Sequence, residues 1–313
     1  MIVKPRLCFT LISAVLAMVT LAGQPRAETT VSFNAWGGSP TINAYIEWVG
    51  AEMKSRHGIT LEHVKLTDTA NAVSRILAEK TAGRTSDGSV DLIWVNGENF
   101  ASMKRNGLLR DDAWAFGLEN FSLTDPEALP ALINDFATPT DGLESPWGRA
   151  QMVFGHDTAE LPSPPRSADA LKAWIKANPG RFTFPLVPDF TGTTFLKQVL
   201  LEITPDAAVL AAPADDADGE AVLVPLWSWL DEVTPYLWRN GRHYPANYTE
   251  MVQLLGDREI SIAMAFNPAE FSNNSSSGVL PDTTRSYIHR DGTIANVHFV
   301  AIPFNASSPE AAM

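Results

Sequence analysis

The sequence is short of thiols, of positive charge and of long apolar runs, and each shortage removes a class of function. Cys8 is the only cysteine among 313 residues. It sits at the front of the single long apolar run, Leu7–Ala22, not behind it where a lipid-attachment cysteine would stand. A chain that loses this segment has no thiol nucleophile, no disulfide and no cysteine ligand for zinc. Lysine and arginine number 23 against 36 aspartates and glutamates, a net charge of −13. Such a surface argues against nucleic acid and anionic lipid as partners. The phosphate loops G-x-x-x-x-G-K-[ST] and G-x-G-x-x-G are missing, as are H-E-x-x-H and G-x-S-x-G, so nucleotide, dinucleotide, zincin and serine-hydrolase chemistry lack their motifs. The six histidines (His57, His63, His156, His243, His289, His298) are scattered without ligand spacing. No metal site and no cofactor is expected.

What is present begins with an export signal. Lys4 and Arg6 precede the apolar run, and Gly23–Ala27 follows it, the order of a secretory signal peptide over residues 1–27. Cleavage fits after Ala22 or Ala27, with Pro25 making the second site irregular. The competing reading, an uncleaved anchor, needs about 20 apolar residues. The periplasm is the expected location. Removal of Lys4, Arg6 and Arg26 would leave the remainder three units more negative.

Apolar content of 45% and charged content of 19% describe an ordinary globular chain. Val31–Trp36, Ile59–Leu66 and Val90–Val95 read as strands, separated by helices over Thr41–Arg56 and from Asp68 or Thr69 to Lys80. Ser39 and Pro40 suit an N-cap and first helical position. A further helix runs from Asn96–Asn99 towards Gly107. This β-α-β-α-β-α order predicts a parallel sheet wrapped by helices. Ala150–Phe154 carries the chain onward, and helices over Ser167–Ala177, Asp189–Ile203, Trp227–Trp238 and Tyr248–Gly256 are interleaved with strands at Arg181–Phe184, Ile260–Phe266 and Val297–Ile302. Ala211–Gly219 and Ser272–Gly278 read as surface loops. The pattern predicts two α/β lobes: 28–148, then 149–266, with 267–313 returning towards the first.

Ligands of open parallel sheets bind beyond the carboxyl ends of strands, where loops meet helix N-termini. Trp36, Gly37, Gly38 and Ser39, then Asn96, Gly97, Glu98 and Asn99, then Asp189, Thr191, Gly192 and Thr193, and Asn267 occupy such places. Trp147 and Arg149 lie at the crossover. Helix N-termini suit acceptors and anions, whereas Glu98 and Asp189 would attract an ammonium or thiazolium-like cation on which Trp36 and Trp147 could stack. Each loop taken singly is more often an ordinary cap or turn; their shared rim favours binding. Tyr236, Tyr244 and Tyr248 with Trp227, Trp229 and Trp238 read first as a packing face and second as a cation cage.

Four segments, NAWGGSPTIN (34–43), SVDLIWVNGENFASMKRNGLL (89–109), ESPWGRAQMVF (144–154) and NPGRFTFPLVPDFTGTTFLKQ (178–198), resemble the YnjB-like ABC transporter substrate-binding proteins over nearly the whole mature chain. The resemblance implies a two-lobed type II periplasmic binding protein fold with a hinge. It also implies a monomer that captures a small solute, a cation in one reading, and hands it to an ABC permease and its ATPase. An enzyme reusing this fold, with Glu98 and Asp189 as acid and base, and an exported ligand sensor are the alternatives. Ser308-Pro309-Glu310 opens a helix just before Met313, while proteins of this kind continue further. The resemblance therefore implies an incomplete C-terminus that leaves an apolar face uncovered.

Overall fold

The computed structural model describes residues 29–211 and 219–313. The expected signal peptide and most of the Ala211–Gly219 loop lie outside the described residues.

The first lobe is built on β1 (Thr29–Trp36), α1 (Pro40–His57), β2 (Ile59–Leu66), α2 (Thr69–Thr81), β3 (Leu92–Val95) and α3 (Gly97–Arg105). β1 and β2 pair in parallel along their full lengths, Thr29 opposite Ile59 and Trp36 opposite Leu66. Gly58 closes α1 in the left-handed conformation, its N–H donating to the Lys54 and Met53 carbonyls; glycine adopts that conformation without steric cost. Asp68 caps α2 by accepting from the Ala70 N–H at 2.8 Å. Ser39 precedes α1 without any side-chain cap, so the expected Ser cap is not made. Its carbonyl accepts from the Asn43 N–H instead.

A two-strand hairpin, β4 (Asn134–Asp135) and β5 (Thr138–Pro139), follows, then β6 (Glu144–Gln151) and β7 (Val153–Asp157). The second lobe adds α4 (Ala168–Ala177), α5 (Phe190–Ile203), α6 (Gly219–Val233), α7 (Tyr248–Gly256), β8 (Ile262–Ala265), α8 (Glu270–Ser276) and β9 (Thr284–Tyr287). β10 (Ala295–Ala301) and the short α9 (Pro309–Ala312) close the described chain.

The strands form a five-stranded sheet in the order β2-β1-β3-β10-β6 and a three-stranded sheet in the order β8-β7-β9. The expectation of a parallel sheet holds for β2, β1 and β3 only. β10 runs antiparallel to β3 and to β6, and the second sheet is antiparallel throughout. The short apolar strand β3 occupies the middle of the first sheet, with Ile93 and Val95 fully buried. All five residues of β7 are buried at the centre of the second. Phe154, Phe182, Phe195 and Phe271 fill that lobe's core, and burying each such ring contributes roughly 1.5–3 kcal/mol.

The chain crosses between the sheets twice, at adjacent points. Gln151 still pairs with β10 and Val153 already pairs with β8, so the outward crossing is Met152, past the boundary drawn at 148. β9 still pairs with β7, so the return lies between Tyr287 and Ala295, not at 267. The sequence concealed this because α8 covers most of the Ser272–Gly278 stretch that reads as a loop. Two further expectations change. Arg181–Phe184 forms only an isolated bridge from Phe182 to Ile262. The helix expected over Trp227–Trp238 starts earlier, as α6, and ends at Val233 before single turns in which Arg239 and Asn240 adopt positive φ.

Gly192 in α5 is fixed by packing: a Cβ there would sit 2.0 Å from the Pro185 carbonyl oxygen. Gly192→Ala must displace backbone, and overpacking of this kind costs about 1–3 kcal/mol. Thermal unfolding should show the variant melting below the parent; an unchanged midpoint would contradict the close packing.

Candidate functional site

Between the two lobes lies a cavity of about 350 Å³, at the lower end of the roughly 300–1,000 Å³ typical of small-molecule pockets. The first lobe contributes Trp36, Asp68, Thr69, Trp94, Asn96, Asn99, Trp147, Arg149 and His298. The second contributes Asp189, Phe190, Thr191, Tyr248, Phe266, Asn267 and Glu270.

Trp36, at the end of β1, bridges the lobes. Its ring meets Trp94 edge-on at 6.3 Å and Tyr248 at 5.6 Å. Gly38 permits this placement, because a Cβ there would lie 2.3 Å from the Trp36 ring. Trp94 in turn meets Trp147 at 4.8 Å and 88°, and His298 packs against Trp94 at 4.8 Å. Burial pushes His298 down to about 4, so this imidazole is neutral at physiological pH. Phe190 and Phe266 pack together at 4.7 Å on the opposite wall.

Three carboxylates share the lining. Burial raises Asp68 above its ordinary range, against the opposing hydrogen bond from Ala70 and with Glu98 repelling it. Burial likewise pushes Asp189 up to about 6; the Gly192 and Thr191 N–H groups oppose the shift and nearby Asp68 adds to it. Glu270 is also raised by burial, with hydrogen bonds from Tyr248, Asn274 and Asn267 working the other way. Its Oε1 accepts the Tyr248 hydroxyl at 3.0 Å.

Of the positions singled out in the sequence, Trp36, Asn96, Asn99, Trp147, Arg149, Asp189, Thr191 and Asn267 are brought together around this cavity. Gly37, Gly38, Ser39, Gly97, Glu98, Gly192 and Thr193 are not in its lining. The Gly37 N–H donates to Leu66, the Gly97 N–H to Asp135, and the Gly192 N–H to Asp189. The Thr193 N–H closes the first turn of α5 on the Asp189 carbonyl.

Glu98 changes role most. Its Oε2 takes a 2.8 Å ion pair from Lys197 of the other lobe, and Lys197 lies 4.4 Å over the Phe136 ring. Glu98 therefore faces a cation of the chain itself, which removes it as partner of Asp189 in an acid–base pair. Sequence reasoning missed Asp68, Trp94, Glu270 and His298 as lining residues, and offered Tyr248 only in the second reading of the aromatic cluster, as part of a cation cage. Asp68 and Trp94 obeyed the strand-end rule already applied to their neighbours. Tyr248 and Glu270 meet only through tertiary packing, and Tyr248 belongs to the same buried cluster as Trp229 and Trp238 while also lining the cavity. Among the described residues no group of His, Cys, Asp or Glu is arranged to hold a metal ion, and no helix is long and apolar enough to cross a membrane.

Residues 48–313 match the family model of bacterial extracellular solute-binding proteins. The chain belongs to that family. It is 47% identical over 283 residues to the protein YnjB of Escherichia coli K12, covering 90% of this chain and 72% of the relative. Its fold is that of solved two-lobed binding proteins. One is the spermidine/putrescine ABC transporter substrate-binding protein PotD of Streptococcus pneumoniae, with a TM-score of 0.59 and 15% identity over 91% of this chain and 76% of that one. Another is iron-bound HitA of Pseudomonas aeruginosa, with a TM-score of 0.55 and 17% identity over 91% and 78%.

The Glu98–Lys197 pair is about one-third exposed, so it holds the lobes together by no more than about 1 kcal/mol. Glu98→Gln should therefore raise the open population of the ligand-free protein up to about fivefold. Single-molecule energy transfer between one label on each lobe reads this directly. Unchanged populations would show that the pair does not restrain opening.

Proposed function

We propose that this chain is the exported solute-binding component of an ABC importer. It captures a small solute in the interlobe cavity and delivers it to a permease driven by an ATPase. The observation that carries this reading is the cavity itself, lined by both lobes of a protein in a solute-binding family. Its placement between lobes joined by two crossings suits closure around a ligand, and closure would create a surface that a permease could distinguish from the open form. Export through the N-terminal signal, a periplasmic location and a monomeric state belong to the same reading. The ABC-transporter role of PotD supports it by analogy of fold alone.

In this reading the protein is not an enzyme. The cavity offers carboxylates but no thiol, and the Glu98–Asp189 pair that would have supported acid–base work is separated by the Lys197 interaction. A sensor that presents its ligand to a receptor would use the same cavity and differ only in partner.

The test is binding without turnover. The purified protein should take up a solute in a one-to-one ratio, and mass spectrometry should recover that solute chemically unchanged. Proteoliposomes holding an ABC permease and its ATPase from the same source should import the solute only when this protein is added. Product formation by the isolated chain would overturn the transport reading, and import independent of it would assign it to sensing.

A further inference from the structure

Helix N-termini normally supply a cavity with anion-binding donors, but here those of α2, α3 and α5 already bond the chain's own carboxylates. Asp68 accepts from Ala70 at the start of α2. Asp189 accepts from Thr191 at 2.9 Å and Gly192 at 3.1 Å at the start of α5. The Gly97 N–H at the start of α3 goes to Asp135, and α1 begins with Pro40, which has no N–H to give. An anion approaching the starts of α2 and α5 would meet occupied donors backed by negative charge.

Asp68, Asp189 and Glu270 line the cavity together, and Asp189 and Glu270 are only 7% and 5% exposed. Among the described residues none of the three forms an ion pair with lysine, arginine or histidine. Arg149 is the cationic side chain in the lining, and it is exposed to solvent; His298 is held neutral by burial. Buried carboxylates without a counter-charge are costly, which is why burial raises all three. A ligand cation would supply what is missing.

Two further features point to the ligand independently of charge. Trp36, Trp94, Trp147 and Tyr248 line one continuous aromatic wall with successive edge-to-face contacts, and ring faces attract cations through their quadrupoles. Asn99 lines the cavity, and its carboxamide makes no hydrogen bond among the described residues. Its polar atoms reach the cavity, where a ligand can supply the partner.

Resting on the reading of this cavity as the solute pocket, we propose that its ligand is a small organic cation. The charged nitrogen sits among Asp68, Asp189 and Glu270, the apolar body lies against the indoles of Trp36, Trp94 and Trp147, and Asn99 hydrogen-bonds a polar substituent.

Titration calorimetry on the full chain, with choline, putrescine and N-methylpyridinium as cationic probes, tests this. The uncharged choline isostere 3,3-dimethylbutan-1-ol and the anions phosphate and succinate complete the set. At least one cation should bind, the neutral alcohol at least tenfold more weakly than choline where choline binds, and the anions not at all. Asp189→Asn and Asp68→Asn each keep an acceptor for the helix cap; both should lower cation affinity tenfold or more while thermal unfolding shows them folded. Affinity for a bound cation should fall between pH 8 and pH 5, because the Asp189 carboxylate takes up its proton near pH 6 in the empty site. Absence of binding by every cation would overturn the proposal. So would tighter binding of the alcohol or an anion; loss of that binding in Trp94→Ala would leave the pocket standing and remove only its cationic class. Cation binding indifferent to both Asp variants and to Trp94→Ala would place the ligand elsewhere and remove the reading of the cavity itself.

Discussion

Two strands of chain passing side by side between the lobes set the geometry on which the rest depends. At Met152 the chain leaves the first sheet, and at Ile294 it comes back. The Met152 N–H donates to the Ile294 carbonyl at 2.8 Å, and the Thr293 hydroxyl donates to the Met152 carbonyl. From α5, Gln198 accepts the Ile294 N–H at 2.7 Å, so the crossing is fastened to the second lobe's own helix. β6 and β7 are nearly continuous through this point, and β10 leads straight from it into the first sheet. A cavity formed between lobes joined in this way has walls that can separate while each lobe keeps its hydrogen bonds intact. That is the mechanical condition for hinge closure.

The carboxylates that line the cavity have two tasks, and the tasks pull in opposite directions. As caps, Asp68 and Asp189 satisfy helix N–H groups that would otherwise be unpaired, which favours their charged forms. As cavity residues they are desolvated and close to one another, which favours protonation. For both, burial outweighs the capping bonds. Their capping bonds hold them in position whether or not anything occupies the cavity, so little ordering is left to be done on binding. Gly38 works to the same end at the opposite wall, since its missing side chain leaves the space into which the Trp36 ring folds.

Much of this organisation could be read from the chain, and what escaped has a common physical origin. Elements with a strong local signal were legible: the capped helix after Asp68, the left-handed stop at Gly58, the short apolar strand ending in Val95, and the Asp189 cap of α5. These bring half of the expected rim into the cavity lining, because the strand-end rule needs only local pattern. The antiparallel entry of β10 beside β3 carries no local signature, since Val297–Ile302 reads as a strand whichever way it runs. Arg181–Phe184 has strand-like residues but its only partner is a bridge at Ile262. The polar run at Ser272–Gly278 has the composition of a loop and is helical because Phe271 anchors it in the core. Tyr248 and Glu270 become neighbours of Trp36 only when the second lobe folds against the first.

Glu98 shows why residue type at a strand end does not by itself identify a ligand contact. It stands between Gly97, whose N–H is taken by Asp135, and Asn99, whose carboxamide is free to face the cavity. On a helix, adjacent positions point about 100° apart, and here that turn aims Asn99 at the cavity and Glu98 at Lys197. The charge goes to Lys197 on the opposite lobe, and the uncharged amide goes to the cavity. The negative charge that the cavity does hold comes instead from residues that double as caps, Asp68 and Asp189, and from Glu270, held by Tyr248. Acidic groups on the lobe rims thus divide by geometry into those that fasten one lobe to the other and those that remain for a ligand. The overall negative balance of the chain could not reveal that division.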